Sequence, residues 1–65
     1  MKEYKFYCRS TPDGFTEWVI ATEDGKEVKR LDRDVHMETT RQFRERTGAL
    51  LEADGFAPAP DQYTL

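Results

Sequence analysis

Sixty-five residues with 13 acidic and 10 basic side chains, a net charge of −3, make one small domain and no more. No run approaches ~18 apolar residues, so a membrane span is not expected, and Met1-Lys2-Glu3-Tyr4-Lys5 lacks the apolar stretch of a signal peptide. A single Cys and a single His exclude an internal disulfide and a Cys/His zinc site, so the reading is a cytoplasmic chain without metal or cofactor.

Four Phe, three Tyr and one Trp are core formers that a disordered chain would lack. Tyr4 to Arg9 alternates, with Tyr4, Phe6 and Cys8 on one face and Lys5, Tyr7 and Arg9 on the other, which reads as a strand. Ser10-Thr11-Pro12-Asp13-Gly14 is a turn. Phe15 to Thr22 is a second strand, apolar enough on both faces to be central; its larger pair, Trp18 and Ile20, is expected inside, with Glu17, Val19 and Ala21 outside. Asp24-Gly25 marks a tight hairpin. Lys26 to Leu31 is a charged outer strand whose charge discourages edge pairing.

After Leu31 the period becomes helical. Asp32 and Asp34 are candidate N-caps. His36, Thr40, Phe43, Thr47, Leu50 and Leu51 recur at helix spacing, opposite Arg41, Arg44, Glu45 and Glu52. Gly48 inside this run predicts a kink or an early end. Asp54-Gly55-Phe56 is a helix stop, with Gly55 at C′ and Phe56 folding back on Leu50 or Leu51. The fold class is therefore α+β: a three-stranded antiparallel meander against one C-terminal helix, βββα, over residues 1–56, with 57–65 an extended tail. The expected core joins Tyr4, Phe6, Cys8, Trp18, Ile20 and Val28 to Phe43, Leu50 and Leu51.

Chemistry has little to work with. Cys8 is the only thiol and His36 the only imidazole, the former expected buried and inert, the latter exposed near a helix start. Carboxylate pairs such as Glu23 with Asp24, or Asp32 with Asp34, fit turns and caps, and a unit this size is expected to lack a cleft of ~300 Å³. No phosphate-binding glycine pattern is present. The expectation is a non-enzyme. Tyr63-Thr64-Leu65 has the form of a carboxylate-capture ligand, but so short a pattern recurs by chance, and a frayed tail, or one whose Tyr63 patches the sheet, is the preferred reading.

Charge is unevenly placed. Residues 10–25 hold Asp13, Glu17, Glu23 and Asp24 without a base, and residues 48–65 hold Glu52, Asp54 and Asp61 without a base. Glu52 and Asp54 also oppose the negative end of a helix dipole. These seven acids are the expected binding surface of a small inhibitor or regulator with a protein partner. Such a protein, of the kind that phages and mobile elements encode, would mimic part of a duplex and block a nucleic-acid-binding defence partner. The alternative is a βββα module that reads DNA with Lys5, Tyr7, Arg9 and Lys29 on its outer face, disfavoured by a pI near 5.0. A third reading is a structural subunit, otherwise a monomer, that completes a partner's fold or pairs weakly with itself through outer-face Tyr7 and Val19.

Overall fold

The computed structural model describes residues 1–59. Three strands, β1 (Lys2–Thr11), β2 (Gly14–Glu23) and β3 (Lys26–Asp32), are followed by one helix, α1 (Thr40–Ala53), and a two-residue strand, β4 (Ala57–Pro58). The sheet order is β3-β2-β1-β4; the first three are antiparallel, and β4 runs parallel to β1. The meander and its helix are as the sequence predicts. The start of the expected tail differs, because Ala57 and Pro58 pair with Glu3 and Tyr4, and the Ala59 N–H donates to the Tyr4 carbonyl at 2.9 Å.

Register decides which residues are inside. The Pro12-Asp13 turn sets Thr11 against Gly14, hence Phe6 against Val19 and Tyr4 against Ala21. Directly opposed residues share a face, so Tyr4 and Phe6 carry Val19 and Ala21 inward with them. This corrects the expected orientation of β2: Trp18 and Ile20 lie outside, and the small Val19 and Ala21 let the helix approach. Between Ala21/Thr22 and β3 a register shift adds one residue, so Val19 faces Leu31 rather than Arg30. Val28, expected in the core, is left exposed.

The core is Tyr4, Phe6, Val19, Ala21, Phe43, Leu51 and Phe56, with Leu31 packed against it. Phe6 meets Tyr4 and Phe43 edge-on, at ring distances of 5.7 and 5.9 Å. Leu50 and Cys8 are both exposed, which corrects their expected burial. Leu50 turns away because Phe43, Thr47 and Leu51 already form the inward stripe at helical spacing.

The helix starts later than Asp32 or Asp34. Thr39 caps it, accepting from the Gln42 N–H at 3.2 Å while the Gln42 side chain accepts from the Thr39 N–H at 3.0 Å, a reciprocal capping box. Asp34 instead accepts from the N–H groups of His36 and Met37 in the preceding turn. Gly48 does not end the helix, which runs on to Ala53. The stop is as expected: Gly55 takes φ 90°, and the Phe56 N–H reaches the Leu51 carbonyl at 2.9 Å. Among the described residues no helix is long and apolar enough to cross a membrane.

Candidate functional site

With the helix on the inner face, the outer face of the sheet presents three rows of side chains read directly from the register. Lys5, Ile20 and Arg30 form one, Tyr7, Trp18 and Asp32 the next, and Glu3, Thr22 and Glu27 another, with Arg9 beside Thr16 beyond them. Tyr7 and Trp18 stack with rings 5.9 Å apart and 12° from parallel. Arg30 lies 5.2 Å over the Trp18 ring, and Lys5 lies 5.9 Å over Tyr7. Tyr7, Trp18 and Ile20 are only partly buried, and no described helix packs on them. The face carries three bases, Lys5, Arg9 and Arg30, and three acids, Glu3, Glu27 and Asp32.

The inner face beyond the core is charged. Glu17 faces Cys8 on β1 and is fully buried. Its carboxylate lies 3.1 Å from Arg33 Nε and 3.5 Å from an Arg44 terminal nitrogen, and it accepts from the Thr40 hydroxyl at 2.6 Å. The two guanidiniums rest on Phe15 and Phe6, respectively. Glu17 is thus withdrawn from any surface, which corrects its expected place in a binding patch. A charge this deep needs partners within the fold, and Arg33 and Arg44 come from elements the sequence does not place beside it.

The remaining acids divide. Asp24 accepts from the amino terminus, which holds the Asp24 carboxyl below the usual carboxylate range and the amino group above its own. Asp54 pairs with Lys29 at 3.2 Å, and its carbonyl accepts from Lys2 at 3.2 Å. Glu52 stands beside the Tyr4 hydroxyl, whose pKa is raised by burial first and by this carboxylate second. Asp13 and Glu23 are exposed in or beside the turns. Asp61 lies outside the described residues, as does Tyr63-Thr64-Leu65. Folding therefore brings bases from the middle of the chain to Glu17 and Asp54, two of the acids from the base-free blocks.

Lys29, expected among the outer-face readers of DNA, sits opposite the inward Ala21 and reaches Asp54 at the helix end. Arg41 pairs with Glu45 at 3.2 Å, and Arg46 pairs with Glu38 at 2.6 Å, so these helix bases have partners within the chain as Arg44 does.

Two open hollows flank the β1–β2 turn, against the expectation that none would reach ~300 Å³. One, about 440 Å³, is lined by Cys8, Ser10, Gly14, Phe15, Glu17 and Thr40; the other, about 500 Å³, by Thr11, Asp13, Phe15, Thr16, Val35 and His36. The first opens on the inner side of the sheet, where α1 begins only at Thr40 and leaves Cys8 uncovered. Cys8 and His36 line different hollows, so neither hollow pairs the thiol with the imidazole. Among the described residues no three His, Cys, Asp or Glu side chains gather as metal ligands. Comparison with protein-family models, curated proteins and solved structures gives no match.

Proposed function

We propose that this chain is a non-enzymatic protein-binding module, a small regulator or inhibitor that acts by covering part of a partner's surface. Its contact surface is the outer face of the sheet. One observation carries this reading: the Tyr7–Trp18 stack, with Ile20 and Arg30 beside it, is only partly buried on a face that no described element covers. Tyr, Trp and Arg are the side chains on which binding energy concentrates, and a rigid stack loses little entropy when covered. The acidic blocks serve less well, because Glu17 is buried and Asp24, Glu52 and Asp54 have neighbours of their own.

The same face underlies the DNA-reading alternative, since Lys5, Tyr7 and Arg9 do share it. Three acids offset its three bases, whereas a phosphate-binding surface is basic where it touches the backbone. Immobilised wild-type chain and a Tyr7→Ser/Trp18→Ser variant, both checked for folding by circular dichroism, separate the readings in host lysate. Two hot-spot aromatics at ~2 kcal/mol each correspond to a loss of affinity on the order of a thousandfold. The expected result is a captured protein lost with the aromatic variant and retained with Asp13→Lys/Glu23→Lys. Retention by the aromatic variant and loss by the acid variant would return the interface to the acidic blocks. Tight binding to labelled duplex at low salt, lost on Lys5→Ala/Arg9→Ala, would establish the DNA reading instead.

A further inference from the structure

The outer face has a symmetry that its composition alone hides. Phe6, Val19 and Leu31 lie in one row across β1, β2 and β3. On the outer face the residues on either side of this row are Lys5 and Tyr7 on β1, Ile20 and Trp18 on β2, and Arg30 and Asp32 on β3. Three steps out on each side lie Glu3 and Arg9 on β1, and Thr22 and Thr16 on β2.

A two-fold axis running across the strands above this row exchanges each of those pairs. It sets Glu3 against the Arg9 of a second copy and Arg30 against Asp32. Lys5 then lies over Tyr7, the cation-on-ring contact it already makes within its own strand at 5.9 Å. Trp18 packs on Ile20, and Thr16 on Thr22. Every charged outer-face position on β1 meets an opposite charge or an aromatic ring, and Arg30 and Asp32, which already pair at 3.2 Å within each copy, meet again across the axis, while Glu27 has no counterpart on β3. The other two-fold that stacks the sheets, with its axis along β2, instead opposes Lys5 to Arg30 and Glu3 to Glu27. Only the first arrangement is complementary.

From this charge pattern we infer that the outer face is self-complementary and binds a second copy of this chain, sheet on sheet with strands antiparallel, in an isologous dimer. The inference rests on the reading that this face is the contact surface. The dimer masks that face, so a heterologous partner competes with it. Three strands ~4.8 Å apart and six residue steps of ~3.3 Å give a face of roughly 15 by 20 Å. Such a patch falls at or below the ~1,200 Å² total that bounds stable interfaces, so the dimer is weak, with Kd on the order of 10–100 µM.

The test uses sedimentation velocity with the emission of Trp18, the only tryptophan, as a second readout. Wild type should pass from monomer to dimer with a blue shift between about 1 µM and about 1 mM. Glu3→Arg places two bases together at both ends of the interface, and Arg9→Glu places two acids together. Each variant should therefore dimerise at least tenfold more weakly than wild type, while an equimolar mixture of the two should form a heterodimer. Wild type that stays monomeric across the range, or a mixture that associates no better than its parts, overturns the inference. In that case loss of a captured protein on Tyr7→Ser/Trp18→Ser would still support the face as a site for a different protein.

Discussion

Arg33 lies directly across from Glu17: its backbone N–H donates to the Glu17 carbonyl at 2.9 Å, and its Nε lies 3.1 Å from Glu17 Oε1. The same guanidinium donates to the carbonyls of Glu38 and Phe15, both at 2.9 Å. One arginine thus neutralises the buried carboxylate, holds the start of β2 and ties the segment leading to α1 against the sheet. With Thr40 donating to the same carboxylate, Glu17 joins β2, the end of β3 and the first turn of the helix.

Breaking that junction should be severe. Glu17→Gln retains volume but leaves Arg33 and Arg44 without a counter-charge, and removing one partner of a buried ion pair costs about 3–5 kcal/mol. In a domain of this size each kcal/mol moves Tm by roughly 4–8 °C. The exposed Glu23→Gln should stay within about 0.5 kcal/mol of wild type. Thermal melts followed by circular dichroism check both; a Glu17→Gln melt close to wild type would show that the two guanidiniums find water.

Trp18 and Phe43 should respond very differently to truncation. Phe43 is fully buried and packs edge-on against Phe6, so Phe43→Ala should cost about 3–5 kcal/mol. Trp18 faces away from the helix, and Trp18→Ala removes its stack on Tyr7, worth about 0.5–1.5 kcal/mol, and its contact with Arg30, worth about 0.5–1 kcal/mol. Urea melts of the two variants make the comparison, and equal losses would place Trp18 in the core after all.

The meander, the helix and its Gly55 stop were legible in the sequence because period and turn chemistry are local signals. The facing of β2 was misread, although the turn carried the cue for it. Side-chain size pointed Trp18 and Ile20 inward, whereas the two-residue Pro12-Asp13 turn opposes Thr11 to Gly14 and so sets even positions of β1 against odd positions of β2. The extra residue in β3 had no such cue, and it moved Leu31 inward in place of Val28. The acidic blocks misled for a different reason: Asp54 and Lys29 are 25 residues apart, and no local pattern announces a pair at that separation.

Cys8 provides a direct check on that facing. It shares the inner side with Phe6, yet it lines an open hollow and is exposed, because the helix does not extend over it. A maleimide should label it in the native state at nearly the rate seen in urea, and Cys8→Ser should change stability by less than about 0.5 kcal/mol. Protection until unfolding would mean that something covers this end of the sheet.

Glu38 gives the fold an acid-sensitive contact. Arg46 donates to its carboxylate at 2.6 and 2.9 Å, and the Asp34 N–H donates at 3.1 Å; together they hold the Glu38 carboxyl below the usual glutamate range. The unfolded chain therefore binds this proton at higher pH than the native chain does. The stabilisation is complete above the ordinary value of about 4.3 and is lost as pH falls through the lower native value. Glu38→Gln should reduce stability at pH 7 and flatten its decline below about pH 5. Denaturant midpoints across that range test the sign, and an unchanged acid slope would assign the decline to other carboxylates.

Gly48 offers the opposite kind of test, a gain. It is buried in the middle of α1, and its backbone is ordinary helix, unlike Gly14, Gly25 and Gly55 with their positive φ. A Cβ built there would meet the Tyr4 hydroxyl oxygen at 3.8 Å, an ordinary contact distance. Alanine therefore fits without displacing the ring, and the helix gains the difference in propensity, about 1 kcal/mol at most. A larger side chain would meet Tyr4 itself, whose ring packs edge-on against Phe6. Gly48→Ala should raise Tm by several degrees, while Gly48→Leu should lower it through overpacking of about 1–3 kcal/mol. Loss of stability in the alanine variant would mean that the helix sits closer to β1 than these distances show.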